Sequence, residues 1–447
     1  MGKCFDRTAG DLSGKQLLIM GGALFSMHFG ASCLLYPVNW GKDSGQEVLT
    51  AYVAIVMTAL LLPLLSYAAL SKAKSSFYHM AVRVTPGLSP VFCTLTVLVM
   101  GPLYVIPRMS AASWDAIVQL TGTDAGGVFP IVLFNVLFYG LSFWFLASRK
   151  DTMDRIGKLL FPVLILIVIL VIGKGLLAPI SDHREPRSYP QSAVAYGLLQ
   201  GYQTGDLPAA LMFGLVILQG VQRAGVPEHR VNANLLRVGL VGLGMLAVTH
   251  LGHMLVGANT GGEIDLTLSA LYAEVVFRLW GRLGEILFNI ALIISALTTA
   301  VGLGASAAEY FDERCRGRLS YSWIALMVVG ISAMVSCFGL SNIVTFAGPL
   351  LDACYPIAIV IVLYYVAAPP HNTALLRGAR FAVAAAAVCG VLDIGNTYLQ
   401  LLEREASWFC RLYGLLPLSG IRLSWIPASL LLFAAGVLTA RKAPRRS

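Results

Sequence analysis

Apolar residues in this chain come in long unbroken runs. About twelve stretches can be drawn, at roughly 17–38, 48–70, 88–112, 129–147, 157–178, 193–221, 235–257, 283–306, 321–340, 343–367, 377–398 and 422–440. Most reach the ~20 residues a helix needs to cross ~30 Å of hydrocarbon. Barrel strands alternate at every second position, and these runs do not. In lipid a helix satisfies its own backbone within one segment. The pattern predicts an all-α integral membrane protein with about 12 transmembrane helices.

Two stretches carry interruptions. The first reads LFSMHFGASCLLYP over 24–37, with a histidine and the cluster Gly30, Ala31, Ser32, Cys33 inside an apolar run. Irregular backbone at membrane depth is tolerated only where protein or water surrounds it. Small residues also let helices pack closely, which is the competing structural reading. The sixth stretch holds Gly201-Tyr202-Gln203-Thr204-Gly205, which is turn chemistry. Asp206 then has the place of an N-cap, with Pro208 in the first turn. On this reading 194–200 is one half-helix and 207–219 the other. A surface helix and loop over 193–205 would be the plainer arrangement. Spans one and six each open a block of five. Interrupted helices at matching places point to a 5+5 inverted repeat with its binding site at the breaks. The expected division is 16–180, 190–368 and two extra C-terminal helices over 375–440, within a single unit over 1–447.

Composition sharpens the picture. The 447 residues are 57% hydrophobic and 12% charged, with a mean hydropathy of +0.75. One soluble core cannot hide that much apolar surface, whereas a polytopic membrane protein exposes it to lipid. No loop exceeds about 20 residues by hydropathy, so no soluble catalytic module is expected. With the N-terminus inside, 22 of the 32 Lys and Arg fall in cytoplasmic segments and nine outside, leaving Arg108 near a span end. The bias predicts both termini in the cytoplasm. It also assigns the +9 net charge to the anionic leaflet, so a lipid bilayer is the expected partner and nucleic acid is not. The start of the chain has no A-x-A cleavage site, so the first run is expected to be a retained span. Eight cysteines form no C-x-x-C pair and read as small hydrophobes.

Candidate chemistry lies at the breaks and on span eight. Ser295, Thr298 and Thr299 share one helix face, at i, i+3 and i+4. Such hydroxyls beside unwound carbonyls make a hard-oxygen cation site, and alternatively bond back to their own helix. Half-helix N-termini suit a carboxylate. His28, within a turn of the first break, is either a proton-responsive gate or a packing histidine. Asp206 is either a coupling charge or a structural cap. Arg108 snorkels outward or lines an entry path. Asp352 and Asp393 lie inside apolar runs and are expected to face protein or water. Walker, H-E-x-x-H, G-x-S-x-G and TVGYG motifs are absent from the sequence. An intramembrane enzyme with His28 or His253 as base and Asp206 as acid, and a passive pore, remain as rival readings.

Several blocks in order carry a resemblance. They are FGASCLLYP, GPLYVIPRMSAASWD, DRIGKLLFPVLIL, GYQTGDLPAALMFG, LTTAVGLGASAAEYF and GPLLDACYPIAIVI. The chain resembles the bacterial branched-chain amino acid:cation symporters of the amino acid–polyamine–organocation superfamily. The resemblance implies uptake of leucine, isoleucine or valine with sodium, or a proton, through the inner membrane. It implies no cofactor and no obligatory protein partner. The substrate would sit at Gly30, Ala31, Ser32, Cys33, Gly201, Tyr202, Thr204 and Phe213. The cation would sit at Gly30, Ala31, Ser295, Thr298 and Thr299, with His28, Arg108 and Asp206 coupling or gating. The chain departs from the family where it has Ser32-Cys33 for Gly-Asn, Gln200 for Glu, and His28 for an aromatic residue.

Overall fold

The computed structural model describes residues 10–121, 128–147, 152–266, 268–316, 318–368, 372–402 and 407–442. Lys3, Arg7, Arg149, Lys150, Arg404, Arg445 and Arg446, counted above for orientation, lie outside the described residues. Among the described residues there is helix and no strand. Every one of the twelve apolar stretches falls on helix. Among the described residues, by length and composition, eight helices suffice to cross a membrane, or nine when the bent pair Ala193–Gln203 and Asp206–Arg223 is taken as one span. Continuous runs such as Ala31–Ala73, 43 residues long, hold more than one apolar stretch and count once.

The outside of the bundle is apolar. Leu177 is 87% exposed, Val391 68% and Leu430 67%, and they are three among dozens of such side chains. A water-soluble surface does not present large apolar area on this scale, and lipid covers it at no cost. Polar side chains gather inside instead, among them His28, His250, His253, Ser295, Thr298 and Thr299.

Span one is two helices, Gly14–His28 and Ala31–Ser44. Phe29 (ψ 67°) and Gly30 (ψ 176°) leave helical geometry between them. The break is therefore shorter than the sequence suggested, and Ala31, Ser32 and Cys33 already form the first turn of the second half. Both halves pack on span seven, Glu228–Ala258. A Cβ on Gly41 would come within 1.9 Å of the Met254 carbonyl oxygen, and one on Gly257 within 1.9 Å of the Val38 carbonyl oxygen. This backbone-to-backbone approach is what small residues permit in lipid. It holds the break in place from behind.

Span six is likewise two helices, bent by 44°. The first half runs on through Gln203, and the turn narrows to Thr204 and Gly205. Gly205 has φ +68°, a left-handed conformation that a Cβ disfavours. Gly205 is thus the N-cap and Asp206 the first helical residue, with no side-chain cap bond. The N-cap expected of Asp206 is corrected: its carboxylate is free to point elsewhere.

Span three is also irregular. A π-type turn over Val99–Leu103 contains Gly101 at φ −94°, ψ −117°. Pro102 has no N–H to give the ladder, so the helix loosens there before Val105–Thr121 resumes.

Candidate substrate and cation site

The three irregular points converge on one cavity of about 380 Å³. Span one contributes Met27, His28, Gly30 and Ser32, span three Met100, Tyr104, Arg108 and Met109, and span six Thr204, Asp206 and Phe213. Thr299 and Leu303 come from span eight, Arg282–Cys315, and Asp352 from span ten, Leu340–Ala367. Thr397 and Arg422, from the C-terminal helices and the segment between them, complete the wall. A smaller polar cavity of about 90 Å³ adjoins it, sharing Ser32, Arg108, Thr204 and Asp206 and adding Cys33, Gln200 and His250.

At the first break, helix ends of opposite sign meet. The Gly14–His28 half ends in carbonyls that have lost their helical donors. Thr298 Oγ1 donates to the Ser26 carbonyl at 2.6 Å, and Thr299 Oγ1 to that of Met27 at 2.9 Å. The His28 carbonyl accepts from Gly30 N at 2.8 Å and Cys33 Sγ at 3.3 Å. The buried Ser26 hydroxyl beside them has no hydrogen-bond partner. Carbonyl and hydroxyl oxygens from two spans thus share one buried spot. Across the break, Gly30 caps the second half with no side-chain bond, so the first amides, at Ala31 and Ser32, face the break at the positive end of the helix.

Asp206 comes to the same place from span six. Its Oδ1 lies 3.8 Å from His28 Nδ1. His28 Nε2 lies 2.8 Å from the Tyr67 hydroxyl, and its ring meets Phe213 edge-on at 5.0 Å. Arg108 Nη1 donates to the Tyr104 hydroxyl at 2.9 Å, with its guanidinium 5.0 Å from that ring's centre. Arg108 lines both cavities, so its cation turns into the bundle. At the far wall Arg422 pairs with Asp352 at 3.2 Å.

The structure separates the sequence-derived candidates. Gly30, Ser32, Cys33, Thr204, Phe213 and Thr299 line one or both cavities, as do His28, Arg108 and Asp206. Ala31 lines neither with its side chain. Gly201 packs on span two, where a Cβ would lie 2.6 Å from the Ile55 carbonyl oxygen. Tyr202 turns away, accepting from Trp425 Nε1 at 3.1 Å and meeting the Tyr355 ring. Ser295 Oγ bonds its own helix at the Leu292 carbonyl. His253, a candidate base, is satisfied by the Thr249 carbonyl and Tyr272 hydroxyl, and Asp393 accepts from Tyr413 at 2.7 Å. Sequence reasoning missed Ser26, Met27, Tyr67, Tyr104 and Arg422. Pro102 inside an apolar run was the signal available for Tyr104. Among the described residues no group of three His, Cys, Asp or Glu side chains is placed to hold a metal ion.

A polar cavity at the junction of interrupted helices, inside an apolar helical shell, is the build of a membrane transporter. The family model described as branched-chain amino acid transport protein matches residues 13–443, and the chain belongs to that family. It is 29% identical over 356 residues to branched-chain amino acid permease BraB of Bacillus subtilis, covering 78% of this chain and 79% of the relative. It is 31% identical over 353 residues to branched-chain amino acid permease BrnQ of Corynebacterium glutamicum, covering 78% and 80%. It is 26% identical over 442 residues to branched-chain amino acid transport system 2 carrier protein of Pseudomonas aeruginosa, covering 95% and 96%. Membership makes the chain a transporter and closes the enzyme reading.

Proposed function

We propose that the chain is a secondary active symporter importing leucine, isoleucine and valine with a cation across the bacterial cytoplasmic membrane. Both termini lie inside, and two five-span repeats surround the site. The observation that carries the reading is the meeting of both breaks and Thr299 of span eight in one cavity, with Thr298 bonded to the first break at the Ser26 carbonyl. Its volume of about 380 Å³ falls within the ~300–1,000 Å³ usual for small-molecule sites.

Each part of the substrate has a counterpart. The carboxylate takes the Ala31 and Ser32 amides, with the Arg108 cation in the same wall. The ammonium faces the opposite wall, where the unwound carbonyls lie. The aliphatic group enters the apolar end formed by Met27, Met100, Met109, Phe213 and Leu303. Thioethers adapt their shape, so this end accepts several branched side chains and methionine. The coupling cation, sodium in the first instance, takes the Ser26 and Met27 carbonyls with the Thr298 and Thr299 hydroxyls. The partnerless Ser26 hydroxyl fits an oxygen shell that a cation completes. When the cation enters, each threonine oxygen turns its lone pairs to the ion and its proton to its own helix. Thr298 already has that second acceptor, the Ser295 carbonyl at 2.9 Å. Cation and substrate share one broken helix, so each favours the state that binds the other.

Uptake of labelled leucine into proteoliposomes, with and without an inward sodium gradient, tests the reading. Concentrative uptake of unaltered leucine supports it. Flux that only equilibrates across the membrane would show a pore and overturn it.

A further inference from the structure

Among the described residues, two acids and two arginines line the central cavity: Asp206, Asp352, Arg108 and Arg422. Asp352 and Arg422 satisfy each other at 3.2 Å. Asp206 and Arg108 do not form a pair of this kind with any residue described. We propose that Asp206 holds the substrate ammonium while Arg108 holds its carboxylate, so that these two separated charges restrict the carrier to zwitterions. The inference deepens the transport reading and rests on it.

The Asp206 carboxylate is not used by its own helix, because Gly205 caps the second half of span six. Its side chain is only 15% exposed. Among the described residues the one basic atom within 4 Å is His28 Nδ1, at 3.8 Å. That separation is beyond hydrogen-bond length, and Nδ1 has no hydrogen-bond partner. A carboxylate drawn out of water and left unpaired is costly, and at membrane depth such a group marks the path of a ligand. Arg108 is its complement. The guanidinium donates to the neutral Tyr104 hydroxyl and has no carboxylate partner among the described residues.

Both residues line the larger cavity and the smaller one beside it, Arg108 from span three and Asp206 from span six. The carbonyls at the first break, on the wall the ammonium faces, do not supply a counter-charge. Those of Ser26 and Met27 already accept from Thr298 and Thr299, and that of His28 from Gly30 N and Cys33 Sγ. They are neutral acceptors, whereas a charged hydrogen bond is about twice as strong as a neutral one.

One spare anion, one spare cation and an apolar end in a single cavity match an apolar α-amino acid group for group. An analogue that lacks either charge buries its counterpart without a partner. A 2-hydroxy acid leaves Asp206 unpaired beside a second anion, and an amine leaves Arg108 unpaired. A site built around polar groups rejects a ligand that lacks one of them far more strongly than a site that only packs against it.

The test is competition against labelled leucine in proteoliposomes of the full-length protein, with a sodium series run beside it. Two probes keep the leucine skeleton and lose one charge each. They are 2-hydroxy-4-methylpentanoate, without the ammonium, and 3-methylbutylamine, without the carboxylate. In the wild type each should inhibit roughly tenfold or more weakly than unlabelled leucine. Asp206→Asn removes the charge at nearly constant size. It should raise the KM for leucine roughly tenfold or more, abolish inhibition by the amine, and bring the hydroxy acid to within a few-fold of leucine. Asp206→Glu, which keeps the charge, should keep inhibition by the amine. Equal weakening of leucine, amine and hydroxy acid in Asp206→Asn would show a structural role and overturn the proposal. So would a raised half-saturating sodium concentration with the leucine KM unchanged, which would place the carboxylate at the cation. If neither variant folds, the wild type decides: a hydroxy acid that competes as well as leucine overturns the proposal, and one roughly tenfold weaker supports it. A wild type that moves no leucine under any gradient instead refutes the transport reading beneath it.

Discussion

Replacing Thr298 with alanine removes the hydroxyl and the γ-methyl from a fully buried position. That hydroxyl donates to the Ser26 carbonyl from the far side of the break and also to its own helix at Ser295. Two consequences follow. In the cation-free state the Ser26 carbonyl loses its cross-span donor, and an unsatisfied buried acceptor costs about 1–3 kcal/mol. In the loaded state one ligand is gone from the cation shell. A polar contact to a charged group is worth about 1.5–3 kcal/mol, and about 1.4 kcal/mol corresponds to tenfold. The half-saturating sodium concentration should therefore rise roughly tenfold to hundredfold, partly offset by the cost to the empty state. Thr298→Ser retains the oxygen and should stay within a few-fold of wild type. The assay is initial leucine uptake in proteoliposomes against a sodium series, with the order of preference among leucine, isoleucine and valine measured beside it. Sodium dependence should move and that order should not. An alanine variant that folds, transports, and half-saturates at the wild-type sodium concentration would refute the span-eight cation assignment.

Gly205→Ala forces a Cβ into a left-handed position with Leu351 3.3 Å away. It should cost about 1–2 kcal/mol, visible as a lower midpoint of thermal unfolding in detergent. Arg422→Glu sets a second carboxylate beside Asp352. Both side chains are about half exposed, so stability should change by under ~1 kcal/mol. The rate of leucine uptake should nonetheless fall, and the double reversal with Asp352→Arg should restore it; no recovery would remove the pair from the cavity's working parts. Phe213→Leu enlarges the apolar end and should shift competition assays toward bulkier substrates such as methionine. An unaltered order would separate Phe213 from substrate selection. Gly257→Leu drives a side chain into the Val38 backbone and should abolish folded protein, read as loss of the monodisperse peak on size exclusion.

Particular residues show where sequence reasoning reached and where it stopped. Thr298 and Thr299 could be picked out because helical spacing puts them on one face. Their partners were expected at Gly30 and Ala31, but the structure has Ser26 and Met27, one turn earlier. The carbonyls they bond belong to the last turn before the break, where helical donors have run out. Gly201 and Tyr202 read as part of the second break because glycine and tyrosine beside Gln-Thr-Gly look like a turn. The helix continues through them, and Gly201 is small because span two lies against it. Asp206 was read as a cap from its place before Pro208. Only the left-handed Gly205 shows that the cap is one residue earlier and the carboxylate is spare.

The sequence by itself determined that this is a bundle of membrane helices, that spans one and six are interrupted, and that hydroxyls cluster on span eight. Those are local properties, because hydropathy, turn chemistry and helical period each act over a few residues. The tertiary structure decided that Thr298 meets Ser26 across 272 positions, that His28 faces Asp206, and that Arg422 from the last segment joins the cavity wall. Such pairings depend on how whole helices pack, and in lipid that is set by close backbone approaches such as Gly41 on Met254, spread along the chain and invisible in any one stretch of it.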